Sequence, residues 1–143
     1  KPPEIKERNI FTVLVNQNDR LLVENKPSDI SLLRIQAKEF LENPSNSPDL
    51  PEKEMKNIPY LGEIFLAKNA IISLKNDRGT SYDMYIQVQN ELTAAINELR
   101  DKLSVEKFGA KFSVLTNEDY IEAIKKAYPV TISEAEPENI GGK

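Results

Sequence analysis

The chain opens with two short runs of apolar and β-branched residues separated by polar ones. Residues 10–15 are rich in Ile, Val, Phe and Thr, which favour strands, and residues 21–23 repeat the pattern over a shorter length. Between them, residues 16–19 are Asn, Gln, Asn and Asp. Asn and Asp are common in turns because they tolerate left-handed backbone angles. The pattern predicts a β-hairpin.

A helical period begins after the hairpin. Apolar residues recur every three or four positions, as on one face of an α-helix. These positions are Ile30, Leu33, Ala37 and Leu41. Residues 26–29 are predicted to begin this helix, because Ser28 or Asp29 can accept a hydrogen bond from its first N–H groups. Pro44 is expected to end it, since the residue before a proline avoids helical angles.

The longest apolar stripe lies in the second half of the chain. Residues 70–74 predict a strand, and residues 76–79 predict a turn. Thr80 or Ser81 can then cap a helix. One face of this helix is apolar over about five turns. Its members are Met84, Val88, Leu92, Ala95, Ile96, Leu99 and Leu103.

A third helix and a last strand are predicted near the C-terminus. Thr116 or Asn117 can cap the helix, and Pro129 is expected to end it. The apolar side of this helix consists of Tyr120, Ile121, Ile124 and Tyr128. Residues 130–133, Val-Thr-Ile-Ser, then favour a strand.

The region between the first helix and the strand at residues 70–74 has the weakest pattern. Residues 44–57 contain three prolines among polar residues, which predicts a linker-like segment. Residues 58–67 are mixed, and within them residues 64–66, Ile-Phe-Leu, fit either a short strand or a packed loop. Residues 44–69 are therefore interpreted as an insert.

The order of elements is β-β-α-insert-β-α-α-β. Two long amphipathic helices each need an apolar surface to cover, and a small sheet with helices on one face supplies it. The sequence therefore predicts an α+β fold with two layers, a small mixed sheet and amphipathic helices packed on one face. We expect one domain over residues 10–137, a linker over residues 1–9 and a flexible tail over residues 138–143.

Composition excludes several function classes. The chain has 143 residues, no Cys and no His, so it lacks a thiol nucleophile, thiolate metal sites and the commonest general base. Its net charge is −4 with both signs interspersed, which argues against a nucleic-acid partner. No apolar run approaches the roughly 18 residues of a membrane helix. We expect no enzyme activity, no catalytic residues, no cofactor and no metal.

Two motif-like stretches have simpler interpretations. Residues 25–29 are similar to the guanine-reading motif of GTPases, but they contain one residue too many, and the chain has no glycine-rich phosphate loop. Residues 16–27 only distantly resemble a calcium loop, because Leu21 stands where a Gly belongs and Pro27 where the bidentate Glu belongs. A turn with a helix cap, and a hairpin turn, are the favoured interpretations.

Scattered carboxylates could in principle pair for acid–base chemistry. They are Glu52, Glu54, Glu63, Asp77 and Asp83. Carboxylates interspersed with lysines usually form solvated surfaces, and a catalytic pair needs a pocket that raises a pKa. Residues 77–82 are of more interest, because they join the best strand to the best helix, where ligands often dock in α/β folds. The alternative is a tight turn with a helix cap.

The chain resembles the periplasmic domain of the ExbD/TolR family of biopolymer-transport proteins. The resemblance rests on the hairpin at residues 11–24, on the helix after Pro27, and above all on residues 71–82, Ile-Ile-Ser-Leu-Lys-Asn-Asp-Arg-Gly-Thr-Ser-Tyr. The family commonly has a strand, a small or polar residue, Asp, a basic residue, a short link, and a Tyr that opens an amphipathic helix. The residues at those places are Asp77, Arg78 and Tyr82.

The resemblance covers residues 9–43 and 70–137. Residues 128–137 are similar to the C-terminal end of longer family members from the Bacteroidetes group. Two segments are absent from compact family members: the insert and the helix at residues 116–128. Both lie where they could reshape a partner surface.

The resemblance implies a place in a larger machine. Family members have one transmembrane helix that carries an essential Asp, followed by a periplasmic domain. They form homodimers, assemble with a polytopic ExbB/TolQ-like subunit, and pass proton-motive energy to TonB or TolA. We therefore expect a periplasmic coupling domain of a transport motor in the bacterial inner membrane, anchored by a single helix before Lys1. The alternative is a peptidoglycan-binding domain of a TolR-like stator.

The expected mode of partner binding is strand addition to an exposed sheet edge, which uses backbone hydrogen bonds and needs no catalytic residue. Residues 130–133 are the candidate edge strand, with Val130, Ile132 and Glu134 as partner-binding residues. Glu134 and Glu136 could discourage self-pairing and attract a basic partner. The alternative is that this strand is buried within the sheet. A second predicted contact surface consists of Asp77, Arg78 and Tyr82.

Overall fold

A five-stranded mixed sheet organises residues 6–135, the part of the chain that this computed structural model describes. The expected tail at residues 138–143, the first five residues of the expected linker, and Glu136 lie outside the described residues. The strands are β1 Ile10–Val15, β2 Leu21–Val23, β3 Lys26–Ser28, β4 Lys53–Ile58, β5 Gly62–Ala67, β6 Ile71–Asn76 and β7 Ile132–Glu134. The α-helices are α1 Ile30–Glu42, α2 Tyr82–Phe108 and α3 Glu118–Ala127.

The central strand of the sheet is β1, and the strand order is β3-β2-β1-β6-β7. Strand β2 pairs antiparallel with β1, and β3 pairs antiparallel with β2. Strand β6 pairs parallel with β1, and β7 pairs parallel with β6. Alternate residues of a strand point to opposite faces. Phe11, Val13 and Val15 are accordingly buried, while the residues between them are half-buried on the opposite face. The sheet therefore has one buried apolar face, and the opposite face, which carries Ile10 and Leu14, remains partly exposed.

Helices α1 and α2 cover that apolar face. Asp29 caps α1 by accepting from the N–H of Ser31 at 2.9 Å, and Ser81 caps α2 by accepting from the N–H of Met84 at 3.1 Å. Leu33 and Leu92 are fully buried between helix and sheet. The predicted two-layer α+β fold, with helices on one face of a small mixed sheet, is confirmed.

The structure confirms Asp29, one of the two predicted caps, but residues 26–28 do not begin the helix. Residues Lys26–Ser28 form the edge strand β3, and α1 begins only at Ile30. Glu24 and Asn25 have φ values of 52° and 65° and form the two-residue turn between β2 and β3. Two positive φ values are typical of a type I′ hairpin turn, whose twist matches that of the paired strands. This turn gives residues 26–28 a partner strand.

Residues 53–67 of the insert form a β-hairpin, so the linker-like prediction holds only for residues 44–52, and the possible strand at residues 64–66 is confirmed. Strands β4 and β5 pair antiparallel over six residue pairs, from Lys53 with Ala67 to Ile58 with Gly62. Only one face of the hairpin packs, with Ile58 and Leu66 buried. Met55 and Phe65 face one another on the exposed side and are 57% and 43% exposed.

The hairpin and α3 share a second hydrophobic cluster that is separate from the main core. This accessory cluster consists of Ile58, Leu61, Leu66, Leu103, Ala123, Ile124 and Ala127. Leu103 belongs to the C-terminal half of α2, which extends beyond the sheet. The β4–β5 hairpin and α3 therefore pack together against one end of α2.

The predicted boundaries near the C-terminus are close to those observed. Asn117 caps α3 by accepting from the N–H groups of Asp119 and Tyr120. The last strand covers Ile132–Glu134, so it begins two residues later than predicted. Within residues 6–135, no helix combines the length and hydropathy of a membrane span.

Candidate functional site

The last strand, β7, lies at one edge of the sheet. Within residues 6–135 it pairs only with β6. The N–H of Ile72 donates to the Thr131 carbonyl at 2.9 Å, and the N–H of Ala135 donates to the Leu74 carbonyl at 3.2 Å. Because alternate residues of a strand direct their backbone groups to opposite sides, Ile132 and Glu134 direct theirs away from β6.

The opposite edge of the sheet is less receptive. Strand β3 pairs with β2 in the register Val23 with Lys26 and Leu22 with Pro27. The first pair closes the two-residue turn and is hydrogen-bonded, so the next pair is not. Pro27 therefore stands where a backbone N–H would face outward, and proline has none. Of the two edges, β7 offers the outward-facing donors.

The side chain of Glu134 is bound to α2. The hydroxyl of Tyr85 donates to its carboxylate at 2.5 Å, Gln89 donates to the same oxygen, and Gln89 also donates to the Tyr85 hydroxyl at 2.9 Å. The hydrogen bond to Glu134 raises the pKa of Tyr85, with burial adding to the effect. This carboxylate helps to fix the edge strand against the helix while it remains exposed to solvent.

The junction between β6 and α2 divides the three residues of the second predicted surface. Asp77 is 4% exposed, and its carboxylate accepts from the N–H of Gly79 at 2.9 Å. Thr80 continues the turn by donating through its hydroxyl to the carbonyls of Val15 and Asn16. Asp77 therefore holds the turn from within.

Tyr82 and Arg78 lie on the outside of the same junction. Tyr82 is 78% exposed, the largest exposure among the large hydrophobic residues, and Arg78 is exposed as well. The N–H of Ser81, one residue before Tyr82, donates to Asp19 at 2.8 Å, which lowers the pKa of that carboxyl. The bond ties the start of α2 to the hairpin turn and so fixes where the Tyr82 ring projects.

A shallow hollow of about 370 Å³ lies between Tyr82 and Ala135, the residue that follows β7. Its lining residues are Asn76, Thr80, Ser81, Tyr82, Tyr85 and Ala135. Val130, predicted as part of the edge strand, lies two residues before β7 and is 66% exposed. The structure thus brings Tyr82 and the end of β7 together, and it separates both from the buried Asp77.

The sequence reasoning missed two residues of this site, Tyr85 and Gln89, and it missed the role of Pro27 at the opposite edge of the sheet. Tyr85 and Gln89 lie three and seven residues after Tyr82, which is the spacing of one helix face. That spacing indicates, from the sequence alone, that the three residues share one face of the helix. Pro27 was interpreted only as part of a helix start, although a proline is also typical of an edge strand.

We expect replacements of the buried Asp77 and of the exposed Tyr82 to have unequal effects on stability. Asp77→Ala should lower the free energy of unfolding by about 1–3 kcal/mol, because the turn loses the hydrogen bond that the buried Asp77 accepts from the N–H of Gly79. Tyr82→Ala should change stability by less than about 0.5 kcal/mol, as for an exposed side chain. Urea denaturation of both variants provides the measurement, and equal losses would contradict this division.

Comparison with known proteins identifies no family for this chain. No protein-family model matches the chain, and no curated protein matches it. Within residues 6–135, no three carboxylates lie close enough together to hold a metal ion. The arrangement therefore offers backbone hydrogen bonds at β7 and an adjacent aromatic hollow.

Proposed function

We propose that this chain is the periplasmic coupling domain of a proton-driven transport motor of the ExbB/ExbD/TonB type, and that it binds an extended segment of a TonB-like partner along β7. The observation that carries the proposal is the outer edge of β7, with which no other strand of residues 6–135 pairs and where Ile132 and Glu134 direct their backbone groups outward. In this proposal the domain is tethered to the inner membrane beside an ExbB/TolQ-like subunit and works as a homodimer.

The distribution of the two cores supports the family resemblance. The residues that carry it, 9–43 and 70–137, contain β1, β2 and β6 of the sheet together with α1 and α2. The two segments that compact members lack, the β4–β5 hairpin and α3, pack around the accessory cluster instead. Without the β4–β5 hairpin and α3, the chain consists of one layer of strands and one layer of helices. These elements follow one another in the order on which the resemblance rests.

Strand addition suits the chemistry of the edge. Each backbone hydrogen bond contributes a net of about 0.5–1.5 kcal/mol, so a strand as short as β7 gives modest affinity by itself. The hollow beside Tyr82 and Tyr85 can accept a side chain of the added segment, and such pockets supply selectivity in this mode of recognition. Modest affinity fits a motor whose tethered parts meet at high effective concentration.

Backbone amide shifts during a titration test the proposal directly. Overlapping peptides that tile the periplasmic part of a TonB-like protein are added to the labelled domain. We expect shifts confined to residues 130–135 and to the residues around Tyr82. Shifts spread over the outer faces of α1 or α3, or no shifts with any peptide, would contradict strand addition at β7. Co-sedimentation of the domain with purified peptidoglycan in the same buffer would instead favour the alternative, a peptidoglycan-binding domain of a TolR-like stator.

A matched pair of substitutions isolates the backbone contribution. Glu134→Pro removes the outward N–H and the carboxylate, whereas Glu134→Ala removes only the carboxylate and its bonds to Tyr85 and Gln89. We expect Glu134→Pro to weaken peptide binding by about tenfold relative to Glu134→Ala, which corresponds to ~1.4 kcal/mol. Isothermal titration calorimetry measures the ratio. Equal affinities for the two variants would exclude a hydrogen bond at this N–H.

A further inference from the structure

A groove lies at the opposite end of the sheet from β7. It runs between the turn after β2, the edge strand β3, helix α1 and the loop at residues 48–50. Its floor is apolar: the buried rings of Phe11 and Phe40 lie 5.1 Å apart there, with Leu50 and Pro27 beside them. Its volume of about 660 Å³ falls in the range of roughly 300–1,000 Å³ that is usual for ligand sites.

The rim of the groove is mainly acidic. Four carboxylates line it: Glu7, Glu24, Glu39 and Asp49. Within residues 6–135, none of the four forms an ion pair with a basic side chain. The rim therefore carries negative charge that the described part of the chain does not neutralise by direct pairing.

Two basic residues, Arg8 and Lys26, also line the groove, so the four carboxylates leave its lining with a net formal charge of −2. Arg8 donates to the carbonyls of Leu50 and Ser47 at 2.7 and 3.1 Å, and its guanidinium lies 3.7 Å from Glu52. It thus holds the loop that forms one wall of the groove. Lys26, exposed on β3, is the remaining positive charge.

Glu24 is held towards the groove at an electrostatic cost. Its backbone lies in the left-handed region, with φ of 52°, and its N–H donates to the Thr12 carbonyl at 2.9 Å. Partial burial raises the pKa of Glu24, a hydrogen bond with the backbone of Thr12 opposes this rise, and the nearby charge of Glu7 adds to it. A positive group placed between Glu7 and Glu24 would relieve this repulsion.

We propose that this groove binds a basic polypeptide segment that places an apolar side chain between lysine or arginine side chains. The apolar residue packs on the floor formed by Phe11, Phe40 and Leu50, and the flanking cations pair with the rim carboxylates. Charge complementarity of this kind gives selectivity and speeds association more than it adds affinity. The site is independent of strand addition, because the groove borders β3, whereas the partner edge proposed above is β7.

The experiment compares the affinities of three five-residue peptides, each blocked at both ends, for the 143-residue chain. One alternates lysine with leucine, one alternates lysine with serine, and one alternates glutamate with leucine. We expect the lysine–leucine peptide to bind at least about fivefold more tightly than either of the others, since only it satisfies both rim and floor. Its amide shifts should map to residues 7–11, 23–28 and 47–50. Equal binding of the lysine–serine peptide, preference for the glutamate peptide, or shifts elsewhere would overturn the proposal.

Two double variants with the same change in net charge separate the groove from general electrostatics. Glu7→Gln with Glu24→Gln neutralises the rim, whereas Glu63→Gln with Glu118→Gln neutralises two exposed carboxylates outside the groove. We expect the first pair to weaken binding of the lysine–leucine peptide about fivefold and the second pair to leave it within about twofold. Equal losses in both would show that net charge alone attracts the peptide. If the peptide-free chain forms dimers and the rim variant abolishes them, the groove binds a second copy of the chain. That result would also overturn the proposal.

Discussion

Replacing Ile124 by alanine is expected to lower the free energy of unfolding by about 2–5 kcal/mol. Ile124 is 0% exposed and lies in the accessory cluster, where α3 meets the β4–β5 hairpin and the end of α2. The substitution removes buried methyl and methylene groups, and the surrounding side chains cannot fully close the cavity. Chemical denaturation monitored by circular dichroism gives the value.

The matched control is Ile35→Ala on α1. Ile35 is 65% exposed, so the same chemical change there should alter stability by less than about 0.5 kcal/mol. A loss at Ile124 no larger than at Ile35 would mean that the accessory cluster contributes nothing to folding. A single cooperative transition with a large loss would instead show that the hairpin, α3 and the sheet unfold together.

The helices could be predicted from the sequence because their signals are local. The α2 stripe from Met84 to Leu103 repeats at the helical period, and Ser81 and Gly109 mark its two ends. Gly109 has φ of 76°, a left-handed angle that glycine adopts without the steric cost of a Cβ. Caps and period together specify a helix without knowledge of its neighbours.

The strands that were missed depend on their neighbours. Strand β3 contains a proline and shows no alternation, so only its pairing with β2 identifies it. Strand β4, Lys-Glu-Met-Lys-Asn-Ile, is mostly polar because a single residue, Ile58, is buried. Its partner is formed by residues 62–67, and the pairing becomes evident only when both segments are considered together.

The candidate site was only partly predictable for the same reason. Residues 130–133 could be recognised as a strand, but the strand order that places β7 at an edge depends on parallel pairing with β6, about 60 residues earlier in the chain. Asp77 and Tyr82 lie five residues apart at one junction, and nothing local indicates that one is buried and the other exposed. Burial is decided by the hairpin turn that packs over the junction.

Tyr128 is expected to make the protein less stable in strong alkali. It is largely buried where the accessory cluster meets the main core, and this burial, with the nearby charges of Glu42 and Glu106, raises its pKa to about 12. An unfolded tyrosine titrates near 10. Between about pH 10 and 12 the folded state therefore holds more protons than the unfolded state, and the free energy of unfolding falls as the pH rises.

The expected loss through Tyr128 is about 2 kcal/mol between about pH 9 and pH 11.5, from ~1.4 kcal/mol for each unit of pKa difference. Tyr128→Phe should remove this part of the loss, because phenylalanine keeps the ring and has no group to ionise. Tyr60 and Tyr85, whose pKa values are raised by hydrogen bonds to Asp119 and Glu134, titrate in both proteins and cancel in the comparison. Urea unfolding at the two pH values measures the difference. Parallel losses in the wild type and the variant would show that the Tyr128 hydroxyl ionises as readily in the folded protein as in the unfolded chain.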